Sequence, residues 1–144
     1  MKEKTWTRKL LVESRLAHLA TSTKNGKPHV VPICYVYDRN TIYSSIDEKP
    51  KRAKPRQLRR VLNIVENPKV SLVVDQYRED WRKLRYVIVH GSANLVNHGV
   101  EHRRAVSLLR KKYRQYRSMR LEERPIIKIK PDNVFTWSAS EVQA

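Results

Sequence analysis

The fold of this chain is decided around the stretch Thr41-Ile42-Tyr43-Ser44-Ser45-Ile46-Asp47-Glu48-Lys49-Pro50-Lys51-Arg52-Ala53-Lys54-Pro55-Arg56-Gln57-Leu58-Arg59-Arg60. Its first six residues are rich in β-branched and aromatic side chains, which predicts a β-strand. A loop dense in Lys and Arg follows, and an amphipathic helix begins after the loop. A strand, a cationic loop and a helix start can bring Lys and Arg donors and free backbone N–H groups to one phosphate. The stretch therefore predicts either a phosphate site beside a sheet or a basic surface.

Two further strands are predicted upstream, over residues 16–23 and 29–37. Between them lies Asn25-Gly26, the strongest local signal for a tight hairpin, because both residues tolerate positive φ. The second strand is almost wholly apolar, which predicts burial on both faces. Pro32 within it cannot donate a ladder hydrogen bond, so it predicts a sheet edge, a bulge, or a contact between the backbone and another group.

The helix after the basic loop has an apolar stripe. Its members recur at i, i+3, i+4 and i+7, which predicts a buried face: Leu58, Val61, Leu62 and Val65. The other faces carry Arg56, Arg59, Arg60 and Asn63.

The rest of the chain predicts further strands and two more helices. Helices are expected over residues 7–13 and 100–113, and strands over 70–75, 85–96, 126–129 and 134–137. Gly91 predicts a bend or bulge within its strand. Five or six strands, mostly in hairpin order, with two or three helices predict a mainly β (α+β) fold. We expect a small closed or partly closed barrel rather than a doubly wound parallel sheet.

Length and composition predict one globular domain over residues 1–144. The net charge of +17 is compatible with nucleic acid, an anionic membrane surface or a polyanionic small molecule as partner. No apolar run approaches the roughly 18 residues of a membrane helix, so no membrane association is expected. The start, Met1-Lys2-Glu3-Lys4, has no apolar signal region behind it, which predicts a cytoplasmic protein. The single cysteine, Cys34, fits a reducing compartment and is expected to be a buried, inert thiol.

Several kinds of catalytic site are not indicated. The only glycines are Gly26, Gly91 and Gly99, so a glycine-rich phosphate loop is excluded. No Cys or His pair has convincing metal-ligand spacing, and no activated serine is recognisable. Any reaction is therefore expected to be carried out by a bound cofactor that the protein orients.

Four groups of segments carry a family resemblance. They are residues 16–21, residues 25–33, residues 42–51, and a discontinuous group made of 58–60, 63–64, 67–72, 75–77 and 80–81. On these residues the chain resembles the pyridoxamine 5′-phosphate oxidase-like split barrels, which bind a flavin or a deazaflavin. Within that superfamily it is similar to the group of probable F-420-dependent enzymes. The resemblance covers nearly all of residues 10–137 and implies a Greek-key split barrel that works as a homodimer with the cofactor at the subunit interface.

The resemblance also implies where the cofactor lies. Its ring system would lie along the second and third strands, against His29, Val30, Val31, Pro32, Ser44, Ser45 and Ile46. The basic loop and the helix start would hold the phosphate, with the candidates Lys49, Lys51, Arg52, Arg56, Arg60 and Asn63. Trp81 and Trp137 would either cover the ring from the partner subunit or pack as ordinary core or interface aromatics.

The leading functional hypothesis is an oxidoreductase that transfers hydride from reduced coenzyme F-420, a deazaflavin, to a small organic acceptor. Its cationic surface would attract both the phosphate and the acidic oligoglutamate tail of this coenzyme. Tyr43 or Tyr77 could protonate the product. FMN is the alternative cofactor, and a non-catalytic flavin carrier with the same fold is a second class. A third, less favoured class is nucleic-acid binding, in which Tyr113 and Tyr116 would stack on bases.

Overall fold

The computed structural model describes residues 4–46 and 58–142. Its helices are α1 (Thr5–Glu13), α2 (Arg59–Glu66), α3 (Val100–Lys112) and α4 (Ala139–Val142). Its strands are β1 (Ala17–Ser22), β2 (Pro28–Ile33), β3 (Val36–Asp38), β4 (Thr41–Ser45), β5 (Lys69–Gln76), β6 (Arg85–Val96) and β7 (Ile126–Ser138). Short 3₁₀ turns occupy Trp81–Lys83, Arg114–Ser118 and Leu121–Glu123.

The seven strands form one antiparallel sheet in the order β2-β1-β5-β6-β7-β4-β3. Its two edge strands, β2 and β3, are consecutive in the chain and are joined by Cys34 and Tyr35 alone. Three virtual bonds of about 3.8 Å cannot carry the chain further than roughly 11 Å from Ile33 to Val36. The sheet must therefore curl until its edges come close, which makes a barrel split between β2 and β3. We call this junction at Cys34 and Tyr35 the seam. The predicted mainly β split barrel with flanking helices is confirmed.

The single strand predicted over residues 29–37 was wrong, because the seam divides it into β2 and β3. Burial on both faces was also wrong: residues alternate along β2, and the side chain of Val30 is 60% exposed. The edge position predicted by Pro32 is confirmed, since β2 pairs on one side only, with β1. An edge strand tolerates a proline because one row of its backbone groups has no ladder to complete.

Turn residues explain how the strands reverse. The hairpin predicted at Asn25-Gly26 is confirmed, with Gly26 at a φ of 90° and its N–H donating to the carbonyl of Thr23 at 3.0 Å. The two-residue turn with positive φ at both positions lies elsewhere, at Arg39 (50°) and Asn40 (61°), between β3 and β4. That pattern belongs to the type I′ turn, whose twist matches antiparallel strands.

Gly91 lies at a bulge, as predicted, because the register of β6 against β7 shifts between His90 and Gly91. A Cβ atom at this position would lie 2.3 Å from the carbonyl oxygen of Lys130. Only glycine therefore allows the two strands to approach here. The two strands predicted on either side of Pro131 are instead one continuous strand, β7, which passes the bulge.

Two apolar clusters fill the molecule. The barrel core lies inside the curled sheet and includes Leu19, Ile42, Leu72, Val87 and Ile129, each at most 1% exposed. The α3 core lies between α3 and the β3–β4 end of the sheet and includes Val36, Ala105, Val106, Leu109 and Ile126. Alternation along each strand places one set of side chains inside the barrel and the other set outside.

The buried face of α2 differs from the predicted one. Leu62 is 37% exposed and Val65 is 69% exposed, whereas the buried residues of α2 are Arg60, Val61, Asn63 and Ile64. The physical reason is a polar contact: the side-chain amide of Asn63 donates to Oγ1 of the buried Thr21 in β1 at 3.0 Å. A hydrogen bond of this kind lets a polar helix face enter the barrel mouth.

Along residues 4–46 and 58–142, the structure contains no helix that combines the length and the apolar character needed to cross a membrane.

Candidate functional site

A small cavity lies at the seam, where the end of β2 approaches β4. Its volume is about 130 Å³, and it is lined by Leu16, Pro32, Ile33, Cys34, Ser44, Ser45 and Arg60. We call it the seam cavity. Residues from the second and fourth strands and from the start of α2 therefore meet at one place, although up to 28 positions separate them in the chain.

The polar groups of the seam cavity are deeply buried. Ser44 is 1% exposed, Ser45 2% and Arg60 4%. The hydroxyl of Ser44 donates to the carbonyl of Cys34 at 2.7 Å and so ties β4 to the seam. The hydroxyl of Ser45 has no hydrogen-bond partner among the residues that the structure describes. A buried hydroxyl without a partner costs about 1–3 kcal/mol, and a polar ligand in the cavity would offset that cost.

A second, larger cavity lies on the other side of the α2 start. Its volume is about 350 Å³, and its lining consists of Thr23, Lys27, Pro28, His29, Arg59 and Asn63. We call it the hairpin cavity, since most of its wall comes from the β1–β2 hairpin. Asn63 is fully buried, and within residues 4–46 and 58–142 its side-chain oxygen accepts no hydrogen bond. The cavity thus combines cationic side chains with an acceptor that suits a ligand hydroxyl or N–H group.

The first turn of α2 separates these two cavities. Arg60 lines the seam cavity, while its neighbour Arg59 lines the hairpin cavity. The N-cap residue of the helix, Leu58, provides no side-chain cap, and the first turn contains no acidic residue. Each cavity therefore has one guanidinium group close to the positive end of the helix dipole, which favours an anion.

Cys34 differs from its prediction. The thiol was expected to be buried, but the residue is partly exposed and lines the seam cavity.

The structure distributes the predicted cofactor residues over several places. Pro32, Ser44, Ser45 and Arg60 line the seam cavity, and His29 and Asn63 line the hairpin cavity. Val30 points outward from the barrel, Val31 packs against the barrel core, and Ile46 is fully buried within it. Trp81 is 67% exposed and lines neither cavity. Lys49, Lys51, Arg52 and Arg56 lie outside the described residues.

Some lining residues were not predicted, namely Leu16, Thr23, Lys27, Pro28, Ile33, Cys34 and Arg59. Arg59 and Lys27 had a signal in the sequence, since each is a cation beside a predicted site residue or turn. The others could be found only from strand pairing, because their residue types carry no chemical signature.

The predicted proton donors lie away from both cavities. Tyr43 donates its hydroxyl proton to Glu101 on α3 at 2.6 Å, and burial together with that carboxylate raises the pKa of Tyr43. Tyr77 is 56% exposed and donates to Glu79 at 3.4 Å. Neither tyrosine lines the seam cavity or the hairpin cavity.

Trp137, which was expected to cover the cofactor ring or to pack as an ordinary aromatic, stacks on Tyr86 with ring centres 5.6 Å apart. It also lines neither cavity.

The two tyrosines that the nucleic-acid hypothesis requires, Tyr113 and Tyr116, are buried. Tyr113 is 9% exposed and Tyr116 3% exposed, and their rings contact each other at 5.4 Å. Both belong to the α3 core. They are therefore not available to stack on nucleic-acid bases, although the cations around them remain on the surface.

Comparison with known protein families gives one match that covers most of the chain. A family model described as pyridoxamine 5′-phosphate oxidase matches residues 5–138. No curated protein sequence matches significantly.

Several solved structures share the fold. The conserved hypothetical protein Rv2991 of Mycobacterium tuberculosis superposes with a TM-score of 0.80 at 18% identity, over 100% of this chain and 89% of that one. An FAD-binding protein from Mesorhizobium loti gives 0.68 at 24% identity, over 94% of each chain. The heme storage protein HutZ from Vibrio cholerae gives 0.71 at 14% identity, over 96% and 95%. At these identities the similarity establishes a common fold.

Proposed function

Because the chain belongs to the pyridoxamine 5′-phosphate oxidase family, we propose that it binds a flavin or deazaflavin at the seam and uses it as an oxidoreductase. The preferred cofactor is coenzyme F-420, with FMN as the alternative, and the hydride acceptor is a small organic molecule. One observation carries the proposal: the uncapped, arginine-bearing start of α2 lies between two cavities whose walls contain buried polar groups without described partners.

The chemistry of the two cavities supports a phosphorylated, ring-bearing ligand. Arg59, Arg60 and the start of α2 supply positive charge for a phosphate. Ser45 and Asn63 supply a hydroxyl and an amide oxygen for the polar part of the ligand. Pro32 offers an edge-strand backbone on which a heterocycle could lie. When bound, the cofactor supplies hydride transfer, and the protein orients it and excludes water.

The charge of the chain favours F-420 over FMN. Both have a phosphate, but only F-420 has an acidic oligoglutamate tail, which a protein with a net charge of +17 would attract. Lys27 and Arg59 line the hairpin cavity, and they would supply cations for such a tail.

A homodimer would complete the site. A row of outward residues crosses five neighbouring strands in register: Pro32, His18, Val73, Ile88 and Phe135. Phe135 is 49% exposed in the single chain. Pro32 belongs both to this largely apolar row and to the seam cavity. A second copy of the chain on this surface would therefore bury the apolar row and close the seam cavity at the same time.

The test is a titration of the purified protein with F-420, FMN and hemin, followed by cofactor fluorescence or by heme absorbance. We expect F-420 to bind most tightly and hemin to bind weakly. If hemin binds more tightly than F-420 and FMN, heme binding, as in the heme storage protein HutZ, would be favoured instead. Salt-sensitive retention of DNA with no uptake of either tricycle would favour the nucleic-acid class.

A double variant tests the basic loop. Lys49→Ala with Lys51→Ala should weaken F-420 binding at least tenfold, since hydrogen bonds to a charged group contribute about 1.5–3 kcal/mol each. The matched control is Arg103→Ala with Arg114→Ala, which removes two exposed cations from the α3 side. An equal loss in both variants would show a general field effect, and unchanged affinity in the first would move the phosphate site elsewhere.

A further inference from the structure

The α3 side of the seam holds a second titratable cluster. Lys112, the last residue of α3, is half-buried, and its Nζ donates to the carbonyl of Tyr35 at 3.0 Å. The same nitrogen lies 4.2 Å from the centre of the Tyr35 ring and 5.4 Å from that of Tyr113. The hydroxyl of Tyr113 bonds to both the N–H and the carbonyl of Tyr35, each at 3.0 Å, so the backbone at this point is held firmly.

Lys112 also lines a groove of about 200 Å³ between α1, β3 and α3. Lys111 lines the groove as well, and its apolar and aromatic residues are Val12, Val36, Tyr37 and Leu108. The groove shares no lining residue with the seam cavity or the hairpin cavity. The carbonyl of Tyr35 accepts the hydrogen bond from the Lys112 amine, whereas Cys34, the residue before Tyr35, lines the seam cavity.

The surroundings of Lys112 make its charged form costly. Burial is the main cause, and the Arg15 guanidinium, which lies 5.1 Å from the Tyr113 ring centre, adds repulsion; the Cys34 thiol acts in the opposite direction. Together they lower the pKa of Lys112 from 10.5 to about 8. At pH 7.5 roughly a quarter of such an amine is neutral, against about a thousandth of an ordinary lysine.

The contacts of Lys112 leave the neutral amine able to react. The Tyr35 carbonyl takes an N–H hydrogen, and an aromatic face attracts the positive side of the amine, so neither contact uses the nitrogen lone pair. A lysine that is desolvated next to another cation is a recognised form of nucleophile for carbonyl compounds.

We propose that this groove is a second ligand site, at which Lys112 forms an imine with a small apolar aldehyde or ketone. The Nζ lone pair attacks the carbonyl carbon, and the electrons of the C=O π bond move to oxygen. The carbinolamine then loses that oxygen as water, which carries away the two hydrogens of the neutral amine, while the third proton of the ammonium group was released to solvent before the attack. The carbon–nitrogen double bond that remains needs no oxidant or reductant.

The experiment is reductive trapping on the full chain without added cofactor. The protein is incubated with benzaldehyde and cyanoborohydride, and each lysine is quantified by peptide mass mapping between pH 6 and 9. The internal standards are Lys111 in the same helix and Lys24 in the β1–β2 hairpin, both exposed. We expect Lys112 to be benzylated at least about tenfold faster than either standard at pH 7. Its rate should level off above pH 8, because most of the amine is neutral there. The other ionisable groups around it are Arg15, Cys34, Tyr35, Tyr113 and Lys111.

Two variants separate binding in the groove from simple reactivity. Lys112→Arg keeps a donor for the Tyr35 carbonyl and should remove the fast adduct alone. Val12→Trp fills the groove from α1 and should slow benzylation of Lys112 at least fivefold without changing that of Lys24. If Lys112 reacts no faster than Lys111, or if Val12→Trp leaves its rate unchanged, the proposal is overturned.

Discussion

Helices α2 and α3 pack against the same sheet but differ in the side chains that they bury and in the charges at their ends. In α3 the apolar residues Ala105, Val106 and Leu109 are buried, Glu101 stands in the first turn, and basic residues occupy the last turn. In α2 the buried residues include Arg60 and Asn63, the apolar Leu62 and Val65 face outward, and neither end carries a favourable charge or a side-chain cap.

The polar contacts differ in the same sense. On α3, Arg104 pairs with Asp38 at 3.0 Å, Arg110 pairs with Glu122, and His102 bonds to the carbonyl of Arg124 at 2.7 Å. Beside α2, the buried oxygens of Ser45 and Asn63 find no partner in the described part of the chain. Neither helix has a side-chain cap, but α2 lacks the favourable terminal charges of α3 and buries polar oxygens without described partners, and this contrast supports the proposed ligand site beside α2.

The largest expected effect is on α3. Leu109→Ala empties a fully buried position of the α3 core and should lower the free energy of unfolding by about 3 kcal/mol. The matched change on α2, Leu62→Ala, removes a side chain that is 37% exposed and should cost less than about 1 kcal/mol. Urea denaturation measures both values. Similar losses would mean that the two helices do not differ as described.

A smaller effect is expected for ligand affinity at α2. Arg60→Met keeps the length and the apolar stem but removes the guanidinium from the seam cavity. FMN binding should weaken about tenfold, because a charged hydrogen bond of roughly 1.5 kcal/mol is lost. Riboflavin, which has no phosphate, should bind with unchanged affinity. A parallel fall in riboflavin affinity would show that Arg60 shapes the cavity and does not contact a phosphate.

The smallest effect concerns acid stability on the α3 side. The Arg110 guanidinium holds the pKa of Glu122 down at about 2, below its ordinary value of 4.5. A carboxylate whose pKa is depressed in the folded state stabilises the protein above its unfolded pKa, and that contribution disappears as pH falls from 4.5 toward 2. Since Glu122 is exposed, solvent screens the pair and the contribution is small. Thermal melts of Glu122→Gln should therefore depend slightly less on pH in that window, and identical profiles would contradict this prediction.

Much of the fold follows from local patterns. Strand β6, the bulge at Gly91 and helix α3 agree with their predictions because strand composition, a glycine and an uninterrupted helical pattern act over a few residues. The candidate site was partly predictable for the same reason, since Pro32 and Arg60 each carry a local signal, a proline in a strand and a cation at a helix start. Ser44 was expected only from the family resemblance.

Other features have no local signal. The seam at Cys34 and Tyr35 contains no glycine, proline or asparagine, and it is held by Lys112 and Tyr113, more than 70 positions away. The buried face of α2 was mispredicted because periodicity tells which residues share a face, whereas the polar partner Thr21 decides which face enters the barrel.

The sequence by itself determined that this chain forms a mainly β barrel with a cationic helix start, because alternation, turn residues and charge are properties of short segments. Only the tertiary structure decided that the two sheet edges meet at a two-residue seam, that Arg59 and Arg60 serve different cavities, and that Lys112 loses water around its amine. Each of these depends on groups far apart in the chain, whose burial and mutual distance exist only once the sheet has curled.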